Sequence, residues 1–190
     1  VKGELNLDEI ELQLTGDLYR TFLKLEEEGK NHVWTSIIKN AFAPLTITSS
    51  FGKFDYVVGN PPWINWENLP DEYRERTRQV WEAYGLIARR RGKASLGKAK
   101  RDMAMLFTYT CIDKYLKNGG LFGFLVTQTV FKSMAGEGFR SFSIPRGSPF
   151  KVVKVHDLVE LLPFEGAQNR TAAMKCVKGE ETSYPIPYIL

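Results

Sequence analysis

The chain has 190 residues, of which 43% are hydrophobic and 25% are charged, and its formal net charge at pH 7 is +4. This composition is typical of a globular domain with a sizeable core, and the mild positive charge is compatible with a nucleic-acid partner without indicating one. No apolar run approaches the roughly 20 residues of a membrane-spanning helix, and no signal peptide opens the chain. Cys111, Cys176, His32 and His156 are isolated in the sequence, which predicts reduced thiols, a cytoplasmic location and no protein-bound metal.

The first part of the chain, 1–50, is predicted to be a lead-in segment with helices, and 51–180 is predicted to contain the main strands. Apolar spacing in the lead-in segment predicts one strand and two helices: Leu5–Leu14, Leu18–Glu28 and His32–Ala43. Phe54–Val58 is short, apolar and rich in β-formers, which predicts a buried strand. Pro70 then begins a predicted helix that continues to Gly85.

The second half of the chain alternates strands and helices. Asp102–Leu116 is the strongest predicted helix, with Asp102 as its N-cap and Asn118–Gly120 as its stop. Leu121–Thr127 is a nearly continuous apolar strand, and Ser133–Phe142 is a short helical or irregular stretch. Two further strands are predicted near the end of the chain: Lys151–Leu158 and Thr171–Val177. The alternation predicts an α/β fold with a mostly parallel sheet and helices on its faces.

Asn60, Pro61, Pro62 and Trp63 directly follow the first apolar strand and are the most informative residues in the chain. The two prolines hold the backbone out of the helical region, so the Pro61 carbonyl has no ladder partner and is available to a ligand. Asn60 adds an amide oxygen as a second acceptor, and Trp63 adds a flat stacking surface. Two acceptors and a stacking surface suit a planar amino group, such as that of a flipped base, at the strand end where α/β sheets bind ligands. A rigid turn that only closes the strand is the alternative.

Positive charge is concentrated between the two predicted central helices. The basic residues of this stretch are Arg89, Arg90, Arg91, Lys93, Lys98, Lys100 and Arg101. A loop of this composition is typical either of a contact with DNA phosphates or of a plain solvated surface. The first four of these residues are the candidates for contact with the DNA backbone.

The order of these features is familiar. Phe54–Trp63, a later helix, Gly119–Gly120, an apolar strand and Pro163–Gly166 together resemble the amino-group DNA methyltransferases. The resemblance is greatest to the N6-adenine type of type II restriction–modification enzymes that join cleavage and methylation in one polypeptide, and it extends from about Asn31 to Lys178. It implies a partial Rossmann-like S-adenosylmethionine-dependent methyltransferase fold, of which this chain supplies the second half, strands four to seven. In that fold the seventh strand runs antiparallel beside the fifth.

The resemblance also implies roles for individual residues. Asn60 and the Pro61 carbonyl would accept hydrogen bonds from the N6 amino group, and Trp63 would stack on the flipped adenine. Phe164 would pack against the other side of the base, unless it is a core or loop aromatic. Asp17 would contact the cofactor. The implied cofactor is S-adenosylmethionine, and the implied macromolecular partner is DNA.

Two departures from the family pattern shape the expected context. No Gly-x-Gly loop for the methionine end of the cofactor precedes Asn60, and no target-recognition domain follows Leu190. Because the chain also begins at Val1 rather than Met, we expect a piece of a longer restriction–modification enzyme that carries the missing parts, and we expect the isolated piece to be inactive and to bind cofactor weakly or not at all. Transfer to cytosine N4, transfer to a glutamine amide or a ribosomal guanine, and a non-catalytic nucleic-acid-binding module all stay open.

Overall fold

The computed structural model describes residues 20, 23–25, 27–29, 43, 47–87, 100–161 and 170–190. The chain divides into two compact units, Val1–Gly52 and Lys53–Leu190. In the first unit the described part of the predicted helix Leu18–Glu28 is helical, and Gly29 after it has a φ of 69°. The predicted strand Leu5–Leu14 lies outside the described residues, as does the predicted helix His32–Ala43 apart from its last residue.

The second unit is built on a five-stranded sheet in the order β1-β2-β4-β3-β5. The strands are β1 (Phe54–Gly59), β2 (Leu116–Thr127), β3 (Phe150–Asp157), β4 (Thr171–Lys178) and β5 (Tyr188–Ile189). β1 is parallel to β2 and β3 is parallel to β5, whereas β4 is antiparallel to both of its neighbours, β2 and β3. All strands except β4 therefore run in one direction, which confirms the predicted mostly parallel sheet and the antiparallel strand beside β2.

Three helices flank the described strands of this unit: α1 (Asp71–Ala83), α2 (Met103–Lys114) and the short α3 (Thr129–Lys132). α1 begins directly after Pro70, as predicted, and its first turn is acidic, which suits the positive end of the helix dipole. α2 begins where the Asp102 carboxylate accepts a hydrogen bond from the Ala104 backbone N–H at 2.9 Å, which confirms the predicted N-cap. In the described part of the chain, no helix is long and apolar enough to cross a membrane.

Tyr109 of α2 lies at the centre of the core and is completely buried. Its ring lies edge-on to that of Phe150 in β3, with 5.1 Å between the centroids, and 5.8 Å from that of Phe139. Its hydroxyl donates to the Phe139 carbonyl at 2.8 Å, so this buried polar atom is satisfied. α2 is thereby fixed both to the sheet and to the short 3-10 helix Phe139–Ser141, which lies within the stretch predicted to be short helical or irregular.

The prediction that the first strand is buried is wrong. Most of β1 is exposed, including Tyr56 at 71% and Val58 at 78%. The reason is the position of β1, which is the outermost strand of the described sheet and has β2 as its only neighbour there. The apolar, β-branched content therefore predicted the strand correctly but did not predict its exposure.

The predicted boundary between α2 and β2 is also wrong. The helix ends at Lys114, and β2 begins at Leu116, so Asn118–Gly120 lie inside the strand rather than stopping the helix. They form a bulge, because Phe54 pairs with Leu116 while Tyr56 already pairs with Leu121.

A distant residue satisfies two carbonyls in the last turn of the helix and one at the start of β2. The buried Lys178 ammonium, from the end of β4, donates to the carbonyls of Ile112, Asp113 and Leu116 at 2.6, 3.0 and 3.0 Å. A cation at this position also suits the negative end of the helix dipole. The glycines are therefore not needed as a helix stop.

Candidate active site

Asn60 follows Gly59, the last residue of β1, at the carboxyl end of that strand. Gly59 pairs with Phe124 of β2, and a Cβ added to Gly59 would lie only 3.1 Å from Phe124 Cε1. The missing side chain therefore lets the end of β1 approach the aromatic ring closely. Asn60 and Pro62 are exposed, while Pro61 between them is buried. Pro61 thus anchors the motif while the Asn60 amide stays open to a ligand.

Trp63 is half-buried and packs against the core. Its indole Nε1 donates to the Leu125 carbonyl of β2 at 3.2 Å. This hydrogen bond fixes the ring orientation relative to the sheet.

The segment that follows the motif is bound to the start of α2. The backbone N–H of Met103 donates to the Ile64 carbonyl at 2.9 Å, and that of Trp66 donates to the Arg101 carbonyl at 2.8 Å. These two bonds form a short antiparallel contact between the two segments. The position of the motif is therefore set by α2 as well as by β1.

Trp66 connects the same segment to helix α1. It is 3% exposed, its ring centroid lies 5.8 Å from that of Trp81 in α1, and its Nε1 donates to Thr77 Oγ1 at 3.0 Å. Helix α1, which the sequence predicts only as a helix, therefore contacts the segment that follows the motif.

Asp102 connects the start of α2 to the end of β2. The carboxylate is 5% exposed and accepts hydrogen bonds from the Thr127 hydroxyl at 2.7 Å and from the Ala104 N–H. Burial raises the pKa of Asp102, and these two hydrogen bonds oppose the rise. The sequence predicts the N-cap but gives no signal for the bond to Thr127.

A second buried carboxylate, Asp157, lies at the end of β3. It accepts hydrogen bonds from the Gln128 side chain, from the Tyr188 hydroxyl at 2.8 Å and from the Val159 N–H at 3.1 Å. Burial raises its pKa, but these hydrogen bonds outweigh that effect and the pKa of Asp157 is lowered. These hydrogen bonds join the carboxyl ends of β2, β3 and β5, which lie at the same end of the strands as Asn60.

The structure brings together the four predicted motif residues at one strand end. The other predicted site residues lie outside the described residues, and their roles stay predictions: Asp17, Arg89, Arg90, Arg91, Lys93 and Phe164. Most of the contacts that sequence reasoning missed join residues far apart in the chain, such as Trp63 with the Leu125 carbonyl. No local sequence pattern encodes such contacts.

The resemblance implies S-adenosylmethionine as the cofactor, and no buried carboxylate among the described residues lacks a hydrogen-bond partner. The buried carboxylates Asp102 and Asp157 already accept hydrogen bonds. A cavity of about 1030 Å³ lies elsewhere, beside the end of α2, where Tyr84, Asp113 and Arg146 are among its lining residues. Within the described ranges, no three His, Cys, Asp or Glu side chains are grouped closely enough to hold a metal ion.

Comparison with known proteins adds independent information. The chain is 26% identical over 145 residues to the type II methyltransferase M.HincII of Haemophilus influenzae, a match that covers 72% of this chain and 26% of that protein. It is 26% identical over 110 residues to the modification methylase CviBIII of Paramecium bursaria Chlorella virus NC1A, covering 57% of this chain and 24% of that protein. The chain thus spans about a quarter of the length of these relatives.

Among solved structures, one match is a Listeria monocytogenes protein described as a class I S-adenosylmethionine-dependent methyltransferase. It is 17% identical, with a TM-score of 0.46, and the match covers 72% of this chain and 36% of that chain. The Eco57I restriction-modification methylase family matches residues 3–158, most of the chain. The chain therefore belongs to the Eco57I restriction-modification methylase family.

Proposed function

We propose that this chain binds the target base in an S-adenosylmethionine-dependent DNA methyltransferase that modifies the N6 amino group of a flipped adenine. One observation supports this most directly. In a member of a restriction-modification methylase family, an exposed Asn60 and a buried Pro61 directly follow the carboxyl end of a strand, where α/β sheets bind ligands.

The chemistry follows from the two acceptors. The lone pair of an adenine amino nitrogen is delocalised into the ring, so the nitrogen is a poor nucleophile. Hydrogen bonds from the amino group to Asn60 Oδ1 and to the Pro61 carbonyl draw the nitrogen toward a tetrahedral geometry and localise the lone pair. Bound S-adenosylmethionine would supply an electrophilic methyl group on its sulfonium. As the nitrogen–carbon bond forms, the carbon–sulfur bond would break, S-adenosylhomocysteine would leave, and the amino nitrogen would release one proton to water. The contribution of Asn60 and Pro61 is then positioning and electrostatic stabilisation.

Trp63 and Phe164 are proposed to hold the base between them. The Leu125 carbonyl fixes the indole of Trp63, so one stacking surface is rigid before the base arrives. A rigid stacking surface reduces the conformational entropy lost when the base binds. Phe164 would supply the opposite surface.

The rest of the machinery is proposed to lie on the same longer polypeptide, in the cytoplasm. The chain spans only 26% of the length of M.HincII. Other parts of the polypeptide would complete the cofactor site and recognise the DNA sequence. Arg89, Arg90, Arg91 and Lys93 would neutralise DNA phosphates, and Asp17 would contact the cofactor.

The direct test uses the full-length polypeptide, labelled S-adenosylmethionine and mixed-sequence duplex DNA, which is then digested to nucleosides. Label in N6-methyldeoxyadenosine is the expected result. Label in N4-methyldeoxycytidine would keep the site and change the base. Label only in RNA or protein would replace DNA as the substrate, and no transfer to any acceptor would favour a non-catalytic binding module.

Asn60→Ala is expected to lower the transfer rate by about 10²- to 10³-fold, because it removes one of two acceptors that act on the reacting nitrogen. Asn68→Ala is the matched control, since Asn68 is also an exposed asparagine in the segment after the strand. The single-turnover rate of each variant measures the effect. Equal rates in Asn60→Ala and the wild type would remove Asn60 from the mechanism.

A further inference from the structure

Glu67 and Arg101 form a nearly buried ion pair close to the motif. Arg101 Nη1 lies 2.7 Å from Glu67 Oε1, and the two side chains are only 10% and 15% exposed, respectively. The other carboxylate oxygen, Oε2, accepts a hydrogen bond from the Arg101 backbone N–H at 2.8 Å. One carboxylate therefore holds both the backbone and the guanidinium of the same residue.

This pair differs from the ion pairs on helix α1. Arg76 and Glu72, for example, lie one turn apart on that helix and are 77% and 76% exposed. Exposed pairs of this kind contribute little to stability and fix no tertiary geometry. Glu67 and Arg101 are 34 positions apart in the chain, so their contact fixes one segment against another.

The ion pair is the last in a series of contacts that hold the residues following the motif. The post-motif strip (Trp63–Glu67) is held to β2 by the Trp63 indole and to the start of α2 by the backbone bonds of Ile64 and Trp66. Glu67 lies at the far end of this strip. Because Glu67 lies in the short 3-10 helix Trp66–Asn68, a displacement there would be transmitted through the bonded residues Trp63–Trp66 toward Asn60 and Pro61.

We propose that Glu67 is a positioning residue, and that its ion pair with Arg101 keeps the strip in the register that aims Asn60 Oδ1 and the Pro61 carbonyl at the target amino group. This inference rests on the methyl transfer proposed above. Misplacing a reacting group by about 1 Å lowers a rate by about 10²-fold, so a small register error is sufficient. Because Glu67 is nearly buried, DNA affinity depends little on it.

The test compares variants of the full-length polypeptide with labelled S-adenosylmethionine and a duplex DNA that the wild type methylates. Glu67→Gln is expected to lower the single-turnover rate at saturating DNA by about 10- to 100-fold, with the DNA Kd within about twofold of the wild type. Glu72→Gln is the control, since it removes an exposed ion pair, and it is expected to leave both quantities unchanged.

A double variant, Glu67→Met with Arg101→Met, separates positioning from a structural role. Replacing both buried charges by apolar side chains avoids leaving one charge unpaired, and such replacements are often neutral for stability. A positioning role predicts a Tm close to that of the wild type with a rate that stays low, because the bond from Glu67 to the Arg101 N–H is absent. Recovery of both the Tm and the rate would overturn the inference.

Two further results would decide against it. A wild-type rate in Glu67→Gln, in an enzyme that methylates DNA, would overturn the positioning role and leave the proposed function intact. A raised DNA Kd with an unchanged single-turnover rate would assign Glu67 to binding instead. Absence of transfer by the wild type itself would overturn the proposed function and this inference with it.

Discussion

Replacing Thr127 with Val is expected to destabilise the second unit by removing the hydroxyl that donates to Asp102. The two oxygen atoms are 2.7 Å apart, and Thr127 and Asp102 are 4% and 5% exposed. Water therefore cannot easily replace the lost donor. Valine has nearly the same volume as threonine, so the substitution isolates the hydrogen bond from packing.

The magnitude follows from the charge on the acceptor. A hydrogen bond to a charged group contributes about 1.5 to 3 kcal/mol, and a buried acceptor left without its donor has the full desolvation penalty. We expect the free energy of unfolding to fall by about 2 to 3 kcal/mol near pH 7. Thr129→Val is the matched control, because it removes only the 2.8 Å contact between the Thr129 and Thr127 hydroxyls. Thr129 is exposed, and the control is expected to change stability by no more than about 0.5 kcal/mol.

The effect should also depend on pH with a defined sign. Burial raises the pKa of Asp102 and the Thr127 hydroxyl opposes that rise, so Thr127→Val raises the pKa further. The folded variant then holds its proton to higher pH than the folded wild type. Its stability deficit should therefore grow as pH rises through the titration of Asp102 and shrink on acidification.

Urea unfolding at neutral and acid pH, followed by tryptophan fluorescence, measures both effects. Trp63, Trp66 and Trp81 all lie in the region that these contacts hold together. A deficit below about 0.5 kcal/mol would refute the reasoning. So would a deficit that grows on acidification, or an equal loss in Thr129→Val.

Two further predictions concern packing and charge. Gly59→Ala should lower the Tm, because the added Cβ would lie only 3.1 Å from Phe124 Cε1. Gly123→Ala is the control and should be tolerated, because its Cβ would lie 3.6 Å from Val58 Cγ1. An equal fall in Tm in both variants would contradict the predicted clash at Gly59. Burial, with Lys53 nearby, lowers the pKa of Lys178 in the folded chain from 10.5 to about 8. The unfolded chain therefore binds the Lys178 proton more tightly than the folded chain does, and the free energy of unfolding should rise from pH 8 toward 10.5. Lys178→Met should flatten that rise in urea unfolding experiments; a slope equal to that of the wild type would show that Lys178 does not titrate there.

Local chemistry explains what the sequence predicted correctly. Strands were recognised from apolar, β-branched runs, helix α1 from Pro70, and the start of α2 from the N-cap residue Asp102. The motif was also recognisable, because two prolines after a strand constrain the backbone whatever surrounds them. Each of these signals is contained in a few consecutive residues.

The features that the sequence did not predict depend on residues that only the fold brings together. Lys178 from β4 donates to carbonyls in the last turn of α2, and β1 is exposed because it is the outermost strand of the described sheet. No local sequence pattern predicts the ion pair of Glu67 with Arg101 or the group of hydrogen bonds around Asp157. The two-residue strand β5 was also missed, because its pairing with β3 is its main distinguishing feature.

The antiparallel direction of β4 has a consequence for how such a protein can change. β3 ends at Asp157 and β4 begins at Thr171, and the two strand ends meet where the Leu158 N–H donates to the Thr171 carbonyl at 2.9 Å. The connection between them therefore departs and returns at one place. Lengthening such a connection costs only about 0.6 kcal/mol for each doubling. Related proteins could therefore differ in the length of this connection on either side of Phe164, while Asn60 and the sheet beside it stay as they are.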